Sequence, residues 1–519
     1  MTSYSFGSIF LAKIGGLWLN KDMKASLKFK ILEIIPGFLV WATLLGVVIL
    51  SFAKPLGAIY FIIAFDLYWL LRITYMLIYL LTSWWRFQRD VRIDWFAKVK
   101  GLDKNYQDYY HLIFLPTFQE PYQIVEKPFN ALLQSNYDLK KFIVVLAGEE
   151  RDKENFLYIA GQIKEKFSDH FSQLLITVHP KDLPDELPGK GSNTHYAARQ
   201  AKMEIDRLNL DYGKVIVSNF DIDTCVHPQY FAYLTYKYLT NPNPTRASYQ
   251  PIAIYNNNIW ESNPIVRVVA SSTTFWLFTD LSRPERLFTF SSHSMSFQAL
   301  VDVGFWDKTI VTEDSRIFLQ CLVRYDGDYQ TVPMYLPVYM NTVDIGDFWR
   351  SLKNQYKQMR RWAWGVEHFP WMVKQFWFKD GEGRKVPFLK KIYYLWNQTE
   401  GVYSWATAPL IILLAGHLPL WLASTSDRTT ALFQNAPHTL ALLMRLSMAG
   451  LIIIAILYTL MLPTKPKEYN WRHYLVMMLQ WVLVPVTMIL FGSLPAADAQ
   501  TRLMLGGRFR LGFWVTEKK

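Results

Sequence analysis

Two aspartates separated by one residue are the first feature of the sequence with the pattern of a chemical site. Asp221 and Asp223 directly follow an uncharged run rich in β-branched residues, VIVSNF. In an extended chain, side chains two residues apart point to the same side, so the two carboxylates can share a divalent cation. A hard cation held there could bind a diphosphate leaving group. The alternative interpretation is that the two aspartates are ordinary solvated acids at the end of a strand. Their position directly after an uncharged strand favours a cation site.

A lysine in a glycine-rich turn is the second candidate. Lys190 lies within 189–193, GKGSN, where a contact to phosphate and a plain flexible loop are both open interpretations. Pro184 stands where a P-loop requires its first glycine, and no G-x-G-x-x-G follows any predicted strand. ATP hydrolysis and dinucleotide chemistry therefore lack their usual sequence patterns.

Two further motifs lie at helices. Thr312, Glu313 and Asp314 begin a predicted helix, where capping by Thr312 or Asp314 is the simplest explanation of their types. Gln358, Arg361 and Trp362 lie in a basic, aromatic helix. An interfacial helix on anionic lipid would explain the aromatic residues of that helix, but not a glutamine and an arginine three residues apart.

The composition indicates a soluble domain joined to membrane segments. Of 519 residues, 51% are hydrophobic and only 19% are charged, which is too apolar for an ordinary soluble enzyme of this size. The mean hydropathy of +0.06 is too polar for a chain made entirely of membrane helices. Cys225 and Cys321 have no metal-ligand spacing, so we expect neither a disulfide framework nor a zinc site.

Two apolar runs near the start of the chain predict membrane helices. Residues 34–53 carry no charge and are long enough to cross a hydrocarbon core about 30 Å thick. The second run, 56–85, contains Asp66 and Arg72, which indicates burial between helices or snorkelling, or else a role lining a substrate path. Because basic residues flank both outer ends of this pair, we expect the chain after residue 85 to face the cytosol.

Three apolar runs near the end of the chain form a second membrane region. Residues 402–423 and 439–462 predict another pair of spanning helices. The last run, 474–494, has basic residues on both sides, and both sides cannot be cytosolic if it spans once. We therefore expect this run to be re-entrant or interfacial, with its break at Pro485.

Between the two membrane regions, short apolar runs alternate with longer amphipathic ones, which predicts an α/β domain with a mostly parallel sheet. The predicted strands are 111–117, 141–147, 174–179 and 214–219. Ligands of such sheets bind beyond the carboxyl ends of the strands. The acids that follow the first two predicted strands are Glu120, Glu149 and Glu150.

Together these motifs resemble those of the processive family 2 glycosyltransferases, the group of cellulose, hyaluronan and chitin synthases. The resemblance runs from about residue 111 to the tail. It depends on four motifs in order: 116–120 (PTFQE), Asp221-Ile222-Asp223, Thr312-Glu313-Asp314 and Gln358-x-x-Arg361-Trp362. The tail residues Phe513, Val515 and Thr516 are similar to the gating loop of cellulose synthases.

The resemblance implies a GT-A, Rossmann-like fold with a UDP-sugar donor and Mg or Mn. It implies that Asp221 and Asp223 hold ribose, metal and diphosphate. It also implies that Asp314 is the general base, with its neighbour Glu313 beside it at the catalytic position. The other residues that it assigns to the nucleotide-sugar or the acceptor end are Thr117, Glu120, Lys190, Gln358, Arg361 and Trp362. Glu149 and Glu150 stand where the family usually has an aspartate, and 290–294 (FSSHS) replaces its acceptor loop. The net charge of +12 is then assigned to membrane flanks and phosphate, with no need for nucleic acid.

The predicted organisation is a catalytic domain inserted between membrane helices of a cell membrane, on the cytosolic side. Its segments are a basic leader (1–30), two transmembrane helices (31–85), the GT-A domain (104–345), interfacial helices (346–395), two or three membrane segments (396–494) and a cytosolic tail (495–519).

The leading function is extension and translocation of a polysaccharide, with membrane lipid as a further partner. The alternatives are transfer of one sugar to a lipid or polyprenyl phosphate, and a transporter or scaffold with a decayed transferase domain.

Overall fold

One eight-stranded sheet organises the middle of the chain. The computed structural model describes residues 21–512, 514, 516 and 517. The strands are β1 Tyr110–Pro116, β2 Phe142–Glu149, β3 Gln173–His179, β4 Val215–Asn219, β5 Cys225–Val226, β6 Ala247–Tyr255, β7 Ser294–Ser296 and β8 Gln330–Met340. Their order is β3-β2-β1-β4-β7-β6-β8-β5. The first four are mutually parallel, and β7 runs antiparallel between β4 and β6.

Helices cover both faces of this sheet, and further helices precede and follow it in the chain. They are α1 Lys21–Ala53, α2 Pro55–Asp90, α3 Trp95–Lys100, α4 Tyr122–Leu133, α5 Lys153–Phe167, α6 Lys190–Arg207, α7 Tyr230–Thr240, α8 Pro264–Leu281, α9 Phe297–Asp302, α10 Glu313–Arg324, α11 Phe348–Ala363, α12 His368–Trp377, α13 Phe388–Leu413, α14 Leu418–Leu422, α15 Thr425–Arg428, α16 Ala431–Met461, α17 Trp471–Leu479, α18 Val484–Thr487 and α19 Leu494–Leu505.

The sheet is buried on both faces because helices pack on each side of it. Successive side chains of a strand point alternately to the two faces. On β1, Ile113 and Leu115 pack in the cluster that includes α4, α5 and α7, whereas Leu112 and Phe114 pack in the cluster of α6, α9 and α10. All four side chains are fully buried. Burial of each such side chain contributes about 1.5–3 kcal/mol, so the first four strands form a rigid support for the residues that follow them.

The predicted α/β class and all four predicted strands are confirmed, with small differences at their ends. The strands that the sequence did not predict include β6 and β8, which are interrupted by proline. Pro251 lies in β6 at a shift in register, and Pro333 and Pro337 lie in β8. Because proline cannot donate to a strand ladder, its presence argues against a central strand in sequence.

Four helical segments among the described residues are long and apolar enough to cross a membrane. They are Leu27–Ala53, Pro55–Asp90, Ala431–Met461 and Trp471–Leu505. Phe388–Leu413 and Ala415–Leu422 bend by 49° at their junction and make a fifth candidate if they act as one span.

The predicted break at Pro485 is wrong. The helical run Trp471–Leu505 passes through this residue and is long enough for a single span. Pro485 is tolerated because it lies in the first turn of α18, where an amide hydrogen is not needed for the helix. A six-residue π-helical stretch, Met488–Ser493, then carries the run on to α19. The marked bend lies instead within the predicted span 402–423, between α13 and the residues that follow it.

Candidate active site

The carboxyl ends of β1, β2 and β4 meet at one edge of the sheet, and the start of α6 closes over them. Gly189 precedes α6 with a φ of 154°, which favours glycine. A Cβ at Gly191 would lie 3.1 Å from the carbonyl oxygen of Asp307 and 3.3 Å from Cβ of Glu313. The two glycines therefore allow α6 to bring Lys190 directly against the start of α10.

Lys190 is surrounded by three acids, and these four residues are called the charged centre below. The Lys190 Nζ lies 2.7 Å from Oδ1 of Asp221 and 2.7 Å from Oδ2 of Asp314. It lies 3.8 Å from Oε1 of Glu313. The structure thus brings together residues that are far apart in sequence, and it places one cation among three carboxyl groups.

Asp314 has polar neighbours on each side. The Asn219 side-chain amide donates to its Oδ1 at 3.2 Å, and His293 Nδ1 lies 3.7 Å from the same oxygen. The Thr289 hydroxyl donates to its main-chain carbonyl at 2.6 Å. The Asp314 side chain keeps 20% of its surface exposed, so it remains accessible to a ligand. The predicted helix cap is wrong for Asp314, because its carboxylate bonds Lys190 and Asn219.

The two aspartates that follow β4 have different surroundings. Asp221 is partly exposed, and its Oδ2 accepts a hydrogen bond from the Ser291 hydroxyl at 2.6 Å. Asp223 is buried, and its Oδ2 accepts from the Asn341 main-chain amide at 3.0 Å. The Asn257 side chain donates to the Asp223 carbonyl at 3.2 Å. These bonds hold the segment that carries both carboxylates against the ends of β7 and β8.

The protonation of the charged centre is set by burial and by neighbouring charge. Burial, followed by the charge of Asp314, raises the pKa of Glu313 from 4.5 to about 8. Burial alone would lower the pKa of the Lys190 ammonium, but the three carboxyl groups outweigh it and raise that pKa. Burial also lowers the pKa of His293, whose Nδ1 donates to the Phe290 carbonyl at 2.9 Å. At neutral pH Lys190 is therefore charged, Glu313 is protonated, and the neighbouring His293 is neutral.

The end of α11 faces this centre. Arg361 acts electrostatically on Glu313 and on Tyr255. The Trp362 ring lies 6.1 Å from the Tyr255 ring, measured between centroids. The Gln358 side-chain oxygen accepts a hydrogen bond from the Gln355 side chain at 3.4 Å. Among the described residues, no contact joins Gln358 to the charged centre.

The described part of the tail lies along α11. The Trp514 carbonyl accepts from Arg361 at 3.5 Å, and the Glu517 carbonyl accepts from Asn354 at 3.1 Å. Thr516 is buried in this arrangement. Phe513 and Val515, the other two predicted gating residues, lie outside the described residues.

A buried network fixes the start of α10 to the residues after α11. The Thr312 hydroxyl donates to Glu367 at 2.6 Å, so this residue does not cap α10 through its side chain. Arg316 Nε donates to Nδ1 of His368 at 3.2 Å, and Nε2 of His368 then donates to the Ser315 hydroxyl at 2.7 Å. Asp314 and Arg361 are therefore positioned by one set of contacts.

The other predicted residues follow β1 and β2, and one of them, Glu149, lines a neighbouring cavity. Thr117 and Glu120 are buried after β1, and the Thr117 amide donates to the Ala147 carbonyl at 2.8 Å. Glu149, at the end of β2, forms an ion pair with Arg151 and lines a cavity of about 220 Å³. Glu150 accepts from the Lys181 amide at 3.0 Å. These residues lie at the ends of β1 and β2, beside the charged centre.

The donor set suits a shared cation more than a closed metal cage. Among the described residues, no group of three or more His, Cys, Asp or Glu side chains could hold a metal ion. Asp221 and Asp223 still offer carboxylate oxygens, and Mg²⁺ is commonly held by one or two carboxylates together with substrate phosphates. The two aspartates therefore fit a divalent cation that a diphosphate ligand helps to coordinate.

Sequence reasoning missed several residues of the site. Asn219, Tyr255, Thr289, His293 and Asn341 all contact or act on the predicted acids. Asn219 ends the strand two residues before Asp221, and that position is the one signal that points to it. The other four come from distant parts of the chain, and their types alone do not distinguish them from ordinary buried polar residues.

Comparison with known proteins supports one assignment. A sequence profile described as glycosyl transferase family group 2 matches residues 216–497, more than half of the chain. The mannosyltransferase PcManGT from Pyrobaculum calidifontis, in complex with GDP-Man and Mn²⁺, is 14% identical, with 82% of this chain and 99% of that chain covered and a TM-score of 0.39. S. aureus TarS 1–349 in complex with UDP-GlcNAc is 12% identical, with 69% and 93% covered and a TM-score of 0.33. No curated protein matches the sequence.

Proposed function

The chain belongs to glycosyl transferase family group 2, and we propose that it is a membrane-embedded inverting enzyme that moves a sugar from a UDP-sugar to an acceptor hydroxyl. Its mostly parallel sheet is the predicted GT-A-like fold. The observation that carries the proposal is the contact of Lys190 with both Asp221 and Asp314, at 2.7 Å each. This contact joins the residues proposed for the diphosphate to the residue proposed as the base.

Asp314 is the proposed general base. In an inverting transfer the acceptor oxygen bonds to the anomeric carbon, the bond from that carbon to the diphosphate breaks, and the acceptor proton passes to a carboxylate. Asp314 is partly exposed, and Asn219 holds one of its oxygens. Glu313, protonated at neutral pH and buried, is the less suitable base of the pair.

The positive charge near Asp221 is proposed to stabilise the departing diphosphate. Lys190 and Arg361 supply that charge, and the planar fork of an arginine can donate two parallel bonds to phosphate oxygens. A divalent cation, Mg or Mn, held by Asp221 and Asp223 would add Lewis acidity at the leaving group. Ser291 and Asn341 orient the two aspartates for this role.

The remaining predicted residues are proposed to bind the two substrates. Thr117, Glu120, Glu149 and Glu150 lie at the ends of β1 and β2, where a nucleotide would bind. Trp362, whose ring lies next to that of Tyr255, is proposed to pack against the apolar face of a sugar ring. Gln358 and the tail residue Thr516 remain predictions from the family resemblance.

The acceptor and the topology are also proposals. The resemblance to cellulose synthases favours extension of a polysaccharide by a catalytic domain on the cytosolic side of the cell membrane, with the segments between 1–30 and 495–519 divided as the sequence predicts. A second function, transfer of one sugar to a lipid that carries a phosphate, is favoured by Arg72, Arg283 and Arg286, which lie close together at α2. The alternative of a transporter or scaffold with a decayed transferase domain is disfavoured, because the acids of the charged centre keep their contacts with Lys190.

The experiment is turnover of detergent-purified protein with Mn or Mg and a panel of UDP- and GDP-sugars, with nucleotide release and product size measured together. We expect release from one UDP-sugar, and a loss of at least about 100-fold in Asp223→Ala and in Asp314→Asn. Asp103→Asn, an exposed aspartate outside the site, is the matched control. If either site variant kept full activity while folded, the assignment of that residue would be wrong.

A further inference from the structure

Three arginines come together where the catalytic domain meets the membrane helices. Arg72 lies in α2, within a segment long and apolar enough to cross a membrane. Arg283 and Arg286 lie in the connection between α8 and β7. These three residues are called the arginine cluster, and none of them belongs to the charged centre or to the residues proposed to bind the nucleotide-sugar.

Arg283 is buried against α2 with part of its hydrogen-bonding capacity unused. Its guanidinium lies over the rings of Tyr75 and Tyr79, at 4.7 and 5.7 Å from their centroids. Its Nη1 lies 3.7 Å from Oδ1 of Asp280. Its Nε is buried and has no hydrogen-bond partner among the described residues. A buried charged donor without a partner is costly, so the site is suited to an anionic ligand.

Arg72 brings the second guanidinium and one acid. It forms an ion pair with Glu400 of α13, and its Nη1 donates to the Tyr68 hydroxyl at 3.1 Å. Glu400 also accepts from the Ser404 hydroxyl at 2.8 Å. Both Arg283 and Arg286 act on Arg72 as repelling charges. Like charges close together in or beside an apolar membrane segment are unfavourable unless an opposite charge compensates them.

The acids around the arginine cluster compensate it only in part. Glu400 and Asp280 contact arginines directly, and Glu285 acts on Asp280 at longer range. Asp280 is buried, and burial raises the pKa of its carboxyl despite the opposing effect of all three arginines. A carboxyl that retains its proton more readily neutralises less of the arginine charge. The arginine cluster therefore keeps an excess of positive charge.

The arginine cluster is close to the charged centre on the side of 290–294. Thr289, whose hydroxyl bonds the Asp314 carbonyl, is three residues from Arg286, a separation of at most about 10 Å along an extended chain. Ser291, two residues further on, bonds Asp221. An anion bound by Arg286 thus lies near the base, away from the pocket at the ends of β1 and β2.

The surface next to the arginine cluster is apolar. Leu71 and Ile78 of α2 expose 63% and 60% of their surfaces, and Tyr75 is also exposed. An inorganic anion has no use for such a surface, whereas the hydrocarbon chain of a lipid would bury it. Arginine forks match phosphate oxygens bidentately, so the headgroup chemistry that fits is a phosphate ester.

We propose that the arginine cluster binds the phosphate of a membrane lipid, and that this lipid carries the acceptor sugar whose hydroxyl reaches Asp314. The second part depends on the transferase function proposed above, whereas the binding of the lipid phosphate does not. The lipid is recognised by a phosphate at the membrane surface next to exposed apolar side chains of α2, and its sugar lies toward 289–291.

The first test is binding by the full chain in detergent, measured by native mass spectrometry without any donor. Phosphatidic acid is the probe, phosphatidylcholine is the control lipid, and inorganic phosphate is added as a competitor at constant ionic strength. We expect phosphatidic acid to bind at least about 10-fold more tightly than phosphatidylcholine, with weak competition by inorganic phosphate. Equal binding of the two lipids would overturn the proposal, and so would full displacement by inorganic phosphate at a concentration equal to that of the lipid.

Variants locate the binding. Arg283→Gln and Arg286→Gln should each weaken phosphatidic acid at least about 5-fold, with Arg283→Lys intermediate because it keeps the charge but loses the fork. Arg92→Gln, an exposed arginine just after α2, is the matched control and should bind as the wild type does. An equal loss in Arg92→Gln would show general attraction to the surface and overturn the site. Arg286 is partly exposed, so its variant keeps the test decisive if Arg283→Gln does not fold.

The second test measures transfer to a sugar linked to a lipid phosphate. Arg286→Gln should raise KM for this acceptor at least about 5-fold and leave KM for the nucleotide-sugar unchanged. An unchanged acceptor KM would overturn the acceptor role. If wild-type protein binds phosphatidic acid selectively but releases no nucleotide from any donor, the proposed transferase function fails while the lipid site stands.

Discussion

The charged centre and the arginine cluster have opposite compositions. The charged centre places one cation, Lys190, among three carboxyl groups, whereas the arginine cluster places three cations beside Glu400 and Asp280. Both are largely shielded from water, where an excess of one charge is expensive. An excess of acid suits the uptake of a proton or a metal cation, and an excess of base suits a phosphate. The sign of the excess charge in each site therefore indicates the charge of the ligand that the site can bind.

The two sites also differ in how they are held. The charged centre lies at the edge of a sheet whose strands are buried on both faces, and hydrogen bonds from Asn219, Ser291 and Thr289 fix its acids. The arginine cluster joins α2 to the connection after α8 and contacts α13 through Glu400, with aromatic rings as its main supports. A rigid edge suits chemistry that needs fixed distances. A site between separate elements suits a bulky ligand that must enter from the side.

Substitution of Lys190, the single cation of the charged centre, should have the largest effect on the protein. In Lys190→Met two partly buried carboxylates, Asp221 and Asp314, lose their counterion, and loss of one partner of a buried ion pair costs about 3 kcal/mol or more. We expect a clear drop in melting temperature and a fall in turnover of about 100-fold or more, since leaving-group charge is no longer stabilised.

The matched control lies on the same helix. Lys202 pairs with Asp206 at 2.7 Å, with side chains 35% and 45% exposed, so Lys202→Met should change stability by less than about 1 kcal/mol. If Lys190→Met were as mild as Lys202→Met in both measurements, Lys190 would not be the counterion that organises the site.

The sequence was sufficient to predict the acids of the charged centre because each stands next to a regular element. Asp221 and Asp223 follow a buried strand, and Asp314 begins a helix, so their positions at one edge follow from the βα pattern. The strands β6 and β8 were not predicted because prolines interrupt them. His293 and Tyr255 were not predicted as site residues because a buried histidine or tyrosine has the same sequence pattern whether it packs in a core or faces a ligand.

The arginine cluster shows the same limit more strongly. The sequence indicated that Arg72 was either buried between helices or on a substrate path, and nothing in its neighbourhood chose between them. The choice depends on Arg283, which is more than 200 residues away and reaches α2 only because α8 ends beside it. Contacts of this kind come from tertiary packing, which hydrophobic periodicity does not encode.

The protonation of Glu313 should make the stability of the protein depend on pH. Its pKa in the folded chain is raised from 4.5 to about 8, so the folded state binds this proton more tightly than the unfolded chain does. Stability from this group is therefore lost as the pH rises from about 4.5 to 8. Between pH 6 and 8 we expect the wild type to lose about 2 kcal/mol more than Glu313→Gln does, seen in thermal unfolding of both proteins. Parallel pH curves for the two proteins would show that Glu313 is ionised in the folded state.

The smallest effect of a substitution is expected at an exposed ion pair, where the two charges are balanced. Arg246 pairs with Asp328 at the surface, where the two side chains are 47% and 62% exposed, and the Arg246 guanidinium lies 5.3 Å from the Tyr325 ring centroid. Water and salt screen such a pair, so Arg246→Ala should change stability by less than about 1 kcal/mol and leave turnover and phosphatidic acid binding unchanged. A large loss of lipid binding in this variant would mean that surface charge in general, and not the arginine cluster, attracts the lipid. The contrast between the two sites would then fail, because it requires that an excess of charge attracts a ligand only where the charges are shielded from water.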